Sequence, residues 1–197
     1  MRSWRRHVIV LASLLATAPA FAATQNDYDD CVQNGDQDRR IAGCTRVIED
    51  IGESNHNRRL AYGSRGTAWH AKGDNDRAIA DYSEAIKLNP KDAVAYDNRG
   101  TAWRDKGDRM HALADYGEAI RLNPNNAIAY NNRGNVRHEK GDNKHAIADY
   151  TEAIRLDPKY AIAYCNRGQA WHASGNDARA AADYKEAVRI DPKIRCR

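Results

Sequence analysis

Pro90, Pro124, Pro158 and Pro192 stand 34 residues apart. So do Gly66, Gly100, Gly134 and Gly168, and in a third series Gly73, Gly107, Gly141 and Gly175. A fixed period of roughly 20 to 50 residues marks a chain made by stacking one supersecondary unit many times. The array divides into Arg59–Asp92, Ala93–Asn126, Ala127–Tyr160 and Ala161–Ile194, with an irregular segment before it over 23–58 and a short tail at 195–197.

Each unit reads as two helices. In the second, Ala93-Val94-Ala95-Tyr96 runs into Arg99-Gly100 and Trp103 at helical spacing. Gly107 then ends the first helix, because glycine enters the left-handed conformation of a C-terminal cap at little cost. Asp108 is placed to cap the next helix. Ala112, Leu113, Tyr116, Ala119 and Ile120 make one buried stripe on it, and Pro124, lacking an N–H, stops it. Phe occurs once and Met twice in the 197 residues, so Ala, Tyr, Ile and Leu fill the interior. Such a palette suits thin layers of small side chains.

Tyr96, Gly100, Trp103, Ala112, Tyr116, Ala119 and Pro124 resemble the tetratricopeptide repeat pattern of alternating aromatic and small residues closed by proline. Tyr62, Gly66, Trp69, Ala78, Tyr82, Ala85 and Pro90 carry it in the first unit, and Tyr164, Gly168, Trp171, Ala180, Tyr184, Ala187 and Pro192 in the fourth. The third unit departs once, with Arg137 in place of Trp, which points to a weaker or locally exposed layer. The resemblance implies an all-α fold, a right-handed α-solenoid of antiparallel helix hairpins stabilised by stacking. A fully packed Trp103 would cost about 3–5 kcal/mol on truncation to Ala.

Residues 23–58 align as a degenerate first hairpin. Gly35-Asp36 matches the Gly-Asp turns, and Arg40-Ile41-Ala42-Gly43-Cys44 matches Ala78-Ile79-Ala80-Asp81-Tyr82. Gly73 follows Gly35 by 38 residues, which places a four-residue insertion in Ile51-Gly52-Glu53-Ser54-Asn55. On this alignment Cys31 replaces Trp and Cys44 replaces Tyr, sites that face each other, so a Cys31–Cys44 cystine is expected, with two free thiols as the alternative. It would stabilise by about 3 kcal/mol on the chain-entropy model. Cys165 and Cys196 form a second candidate pair, against an intermolecular bridge through Cys196. Four cysteines alone allow three pairings.

The N-terminus reads as a secretory leader over residues 1–22. Arg2, Arg5 and Arg6 precede the apolar run Val8–Ala18, and Ala20-Phe21-Ala22 offers cleavage after Ala22 or Ala20. The run of 11 residues is shorter than the ~20 needed to span a bilayer, although a retained anchor is the competing reading. The acidic stretch Asp27-Tyr28-Asp29-Asp30 before Cys31 argues against a lipidated cysteine. The net charge of +4 falls to +1 without the three leader arginines. With both signs interspersed beyond it, neither a nucleic-acid stripe nor a membrane patch is expected, nor membrane insertion once the leader is cleaved. The even cysteine count and the leader suggest a periplasmic or secreted protein, as in the exported bacterial repeat proteins it resembles.

The resemblance implies that the first helix of each hairpin lines a concave groove for a protein or peptide partner. The candidate residues are Thr67 and His70; Asp97, Asn98, Thr101, Arg104 and Asp105; Asn131, Asn132, Asn135, His138 and Glu139; and Asn166, Gln169 and His172. Carboxamides both donate and accept, which suits the backbone of an extended peptide, although a solvated helix face repeating a consensus gives the same ladder. Related domains that clamp a C-terminal carboxylate use a basic cradle. Here Gly63, Asp97 and Asn131 stand in its place.

Arg65, Arg99, Arg133 and Arg167 co-occur with Asp81, Asp115, Asp149 and Asp183, which suggests a repeated interhelix ion pair. His70, His138 and His172 share one slot, but successive units set imidazoles too far apart to share a metal at ~2.1 Å. No nucleophile elbow, phosphate loop or metalloprotease motif is present, so neither catalysis nor a cofactor is expected. A second possibility is self-assembly. The stack has no polar capping helix after its last hairpin, and Ala178, Ala181 and Ala182 would leave a face open to another copy.

Overall fold

The computed structural model describes residues 22–33 and 35–196. The expected leader, apart from Ala22, falls outside them. Ten helices and no strand occur among the described residues: α1 (Gln25–Val32), α2 (Gln37–Glu49), α3 (Asn55–Ala71), α4 (Asn75–Leu88), α5 (Ala93–Asp105), α6 (Arg109–Leu122), α7 (Ala127–Glu139), α8 (Asn143–Leu156), α9 (Ala161–Ala173) and α10 (Asp177–Ile190). None is long and apolar enough to cross a membrane.

Consecutive helices pack as hairpins, and each hairpin packs on the next through the helix that follows it in the chain. The first helices also touch one another, α1 with α3, α3 with α5, α5 with α7 and α7 with α9, whereas the second helices do not. The stack therefore curves with its first helices on the inside. This all-α solenoid is what the 34-residue period predicts.

The turns follow from local chemistry. Gly107 has φ +90°; its N–H bonds the Arg104 carbonyl at 2.8 Å and the Asp108 N–H bonds that of Trp103 at 2.9 Å, closing α5 in a Schellman motif. The Asp108 carboxylate then accepts from the His111 N–H at 3.1 Å and opens α6. Gly134 serves differently. A Cβ there would lie 2.7 Å from the Tyr150 ring, so only glycine lets α7 and α8 approach this closely.

The N-terminal hairpin departs from the regular ones where its sequence does. The Cys31 and Cys44 sulfurs are bonded, with Cα atoms 4.5 Å apart, at the sites where three of the four regular hairpins seat Trp and all four seat Tyr. Asp36 accepts from the Asp38 and Arg39 N–H groups at the start of α2. The four extra residues are found elsewhere than expected. The 50–54 connection stays short, and α3 is 17 residues long against 13 for α5. The insertion is one additional helical turn over 55–58, opened by Ser54, whose side chain accepts from the Asn57 N–H.

The core is a series of small clusters. Ala78, Ile79, Tyr82 and Ala102 form one, Ala112, Tyr116 and Val136 the next, and Ala146, Tyr150 and Ala170 a third. Trp103 only borders two of these. One face stacks on the His111 ring at 4.7 Å, so truncating it costs less than the full-burial figure.

The Arg–Asp pairs form an interhelix ladder. Arg99 donates Nε and Nη2 to the two oxygens of Asp115 at 2.8 and 2.7 Å, and Arg65–Asp81, Arg133–Asp149 and Arg167–Asp183 repeat the fork. Each guanidinium lies 5.5–5.6 Å from the centroid of the tyrosine three residues earlier. The remaining Nη1 of Arg65, Arg99 and Arg167 reaches back to a hydroxyl of the preceding hairpin, on Thr45, Ser83 and Thr151. Gly117 occupies that position before Arg133 and has no hydroxyl. In that same unit Arg137, where the others carry Trp, donates to Asp149 at 2.7 Å. This layer is polar and half-buried, as the lone departure from the pattern suggested.

At the C-terminal end Cys196 is bonded to Cys165, with Cα atoms 5.1 Å apart, drawing the tail back to α9. The end expected to be bare is thus tethered on that side. On α10, Ala178, Ala181 and Ala182 are exposed.

Candidate functional site

The inner face is built from α3, α5, α7 and α9, which present residues three or four apart along one side. The structure gives the candidates of this face distinct duties. Asn166 donates its carboxamide to Asn131 at 2.8 Å and to Asn135 at 3.0 Å. One unit earlier Asn132 donates to Asp97 at 3.4 Å. Asparagine at this slot therefore ties a first helix to the one before it. Asn98 makes no such bond among the described residues, because its counterpart acceptor is Gly63, which has no side chain. Asn131 is buried, and burial raises the Asp97 pKa above the usual carboxylate value.

The hydroxyl candidates brace the core tyrosines. Tyr82 donates to Thr67 at 3.2 Å, Tyr116 pairs with Thr101 at 3.1 Å, and Tyr150 donates to Asn135 at 2.9 Å. Burial drives the Tyr116 hydroxyl up to about 12. The charged and imidazole candidates also find partners. His70 bridges α3 to α5 through Asp105 at 2.9 Å, and Arg104 bonds the same carboxylate at 3.1 Å. His138 meets Asn143 and His172 meets Asp177, each at 2.6 Å. Glu139 accepts from Arg109 at 3.1 Å. Gln169 lies half-buried on the same side of α9. No group of three potential metal ligands occurs among the described residues.

Sequence reasoning missed an apolar set on this face. Leu60, Val94, Ile128 and Ile162 are 49%, 64%, 54% and 52% exposed. They recur at the 34-residue period near the start of each first helix, and that recurrence was the available signal. Leu60 and Val94 line one groove of about 410 Å³ together with Thr67 and Asn98. Leu60 also borders a more apolar cavity of about 290 Å³ with Tyr28, Val32, Val47 and Ala61. The inner face thus pairs a row of exposed aliphatic groups with polar side chains one turn further along: Ser64 on α3, and Asn98, Asn132 and Asn166 on α5, α7 and α9.

Residues 66–107, 100–141 and 134–175 match a family model described as TPR repeat, and residues 161–194 one described as tetratricopeptide repeat. Among curated proteins, none matches the chain. Among solved structures, MamA is 25% identical with a TM-score of 0.72, over 81% of this chain and 91% of that one. The Arabidopsis OM64 TPR domain is 28% identical with a TM-score of 0.59, over 60% of this chain and 98% of that one. YrrB, described as a TPR protein with an unusual peptide-binding site, is 20% identical with a TM-score of 0.65, over 80% of this chain and 79% of that one.

Proposed function

The chain belongs to the tetratricopeptide repeat family, and from that premise we propose that it is a non-catalytic scaffold that holds a polypeptide segment against its inner face. The observation that carries this reading is the row of half-exposed Leu60, Val94, Ile128 and Ile162. Leaving aliphatic side chains in water forgoes about 1.5–3 kcal/mol each relative to full burial, and a periodic row of them along the first helices, two of them lining one groove, is compatible with a partner that covers them. Two cystines suit an oxidising compartment, so the scaffold acts in the periplasm or outside the cell.

The test is capture from a native envelope extract with the wild-type chain and with a Val94→Ser/Ile128→Ser variant. Proteins held by the first and lost by the second support the reading. Identical capture by both removes it.

Self-assembly is the second reading. Val188 is 47% exposed, whereas Ile86, Ile120 and Ile154 at the matching position are 8–9% exposed. Lys185 argues against it, because it stands where Thr45, Ser83 and Thr151 each receive an arginine from the next hairpin, and a like charge there repels a stacked copy built the same way. Sedimentation over a hundredfold concentration range decides between monomer and assembly.

A further inference from the structure

The N-terminal hairpin and α3 enclose a cavity of about 290 Å³ walled by Tyr28, Val32, Val47, Leu60 and Ala61. Two departures from the repeat open it. α1 has 8 residues against 17 in α3, so it is less than half as long as the helix beside it. The Cys31–Cys44 cystine, whose Cys31 borders the cavity, is also smaller than the Trp and Tyr that three of the regular hairpins carry at those sites.

Arg40 supplies a polar end. On the alignment of the hairpins it stands where α4, α6, α8 and α10 carry Ala78, Ala112, Ala146 and Ala180, each 0–2% exposed. A half-buried cation on a long apolar stem thus replaces a buried methyl group. Its Nε donates to the Ser64 hydroxyl at 3.0 Å, and that hydroxyl donates to the Cys31 carbonyl, which holds the side chain against α3. Arg40, Leu60 and Ser64 also line the adjoining groove of about 410 Å³, so the guanidinium lies where the two spaces meet.

Among the described residues lining the cavity, Arg40 alone is charged. In the adjoining groove Arg59 pairs with Asp92, so the two spaces together carry one net positive charge from Arg40, Arg59 and Asp92. Carboxylates elsewhere on this hairpin have other cations: Asp27 pairs with Arg46, Asp30 with Arg39 and Asp38 with Lys72.

We propose that this cavity binds an aliphatic monocarboxylate, its hydrocarbon chain lying between α1 and α3 and its carboxylate on the Arg40 guanidinium. A guanidinium has five donors in a fork that matches a carboxylate. The volume sits at the lower end of the usual range for ligand pockets, about 300–1,000 Å³, and admits a medium-length chain rather than a long one. The site takes a small molecule and is independent of the polypeptide reading, since Ile128 and Ile162 have no part in it.

The test is titration calorimetry on the full chain with both cystines intact, using octanoate, butanoate and octyltrimethylammonium as probes. Octanoate is expected to bind at one site with a dissociation constant of about 1–5 mM, at least ~10-fold tighter than either other probe. Arg40→Gln should weaken octanoate about tenfold without weakening the cationic probe, and Ile162→Ser on α9 should change neither. Melting curves confirm that both variants fold. Methyl spectra of the wild-type chain locate the ligand without any substitution: Val32, Val47, Leu60 and Ala61 shift with octanoate, and Ile128 and Ile162 do not. The absence of saturable octanoate binding, equal binding of butanoate or of the cationic probe, or shifts centred elsewhere overturns the proposal. Indifference of a folded Arg40→Gln chain overturns it as well.

Discussion

The carboxamide of Asn166 donates to Asn131 at 2.8 Å across the joint between α7 and α9. An asparagine ladder that looks from the sequence like a row of ligand donors is, at this point, a seam between repeats. The same residue type one hairpin earlier reaches Asp97, and two hairpins earlier, at Asn98, it has no such bond.

Asn166→Ala should therefore destabilise the chain by about 1–3 kcal/mol, because it leaves buried Asn131 without its donor. Asn98→Ala should stay within about 0.5 kcal/mol of wild type. Urea unfolding of both variants checks this, and equal stabilities would show that the seam is not holding the joint.

Arg99 and Asp115 should be coupled. A double-mutant cycle with Arg99→Met and Asp115→Asn is expected to return an interaction of about 1.5–3 kcal/mol, typical of a forked, charge-assisted pair. A value near zero would reduce the ladder to a geometric regularity without energetic weight.

Two glycine substitutions should act in opposite directions. Gly134→Ala places a Cβ 2.7 Å from the Tyr150 ring and should cost about 1–3 kcal/mol by overpacking. Gly117→Ser meets open space, improves helix propensity and offers Arg133 the hydroxyl that its counterparts use, so it should stabilise by roughly 0.5–1 kcal/mol. Thermal melts of the pair settle the sign of each.

Alkaline pH should unfold the stack. Burial raises the Tyr116 hydroxyl from 10.0 to about 12 and shifts Tyr82 and Tyr150 upward as well. Below pH 10 both folded and unfolded chains hold the proton and nothing is lost. Between about pH 10 and 12 the unfolded chain releases it while the folded chain retains it, so stability falls by about 3 kcal/mol from Tyr116 alone. Melting temperature measured against pH, with phenolate absorbance followed in parallel, should show ionisation of these tyrosines only together with unfolding.

Removing the Cys31–Cys44 cystine as a double serine variant should cost about 3 kcal/mol for a closed loop of this size. A thiol assay in denaturant without reductant should read no free cysteine, and four after reduction. Free thiols before reduction would contradict both pairings.

The hairpins, their turns and the Arg–Asp ladder were legible in the sequence because each depends on residues within one unit, and four copies multiply the signal. Gly107 and Asp108 announce a turn whatever surrounds them. The joints between units were less legible. Nothing local to Asn166 says that its partner is Asn131 rather than a ligand, since that depends on how one first helix lies against another. The aliphatic row at Leu60, Val94, Ile128 and Ile162 was not legible for the same reason. Whether an aliphatic residue at the start of a helix is core or surface is decided by its neighbours in the stack. The extra turn of α3 was placed in the loop because an alignment fixes the number of inserted residues but not whether they coil or wind.

One joint differs from its neighbours. Between α6 and α7 the packing is sparser than between α4 and α5 or α8 and α9, and Gly117 denies Arg133 the backward anchor present at the other junctions. Resistance to bending should therefore be lowest at this joint, which divides the four regular hairpins two and two. A long occupant spanning all four of their first helices would cross it, and one confined to either pair would not.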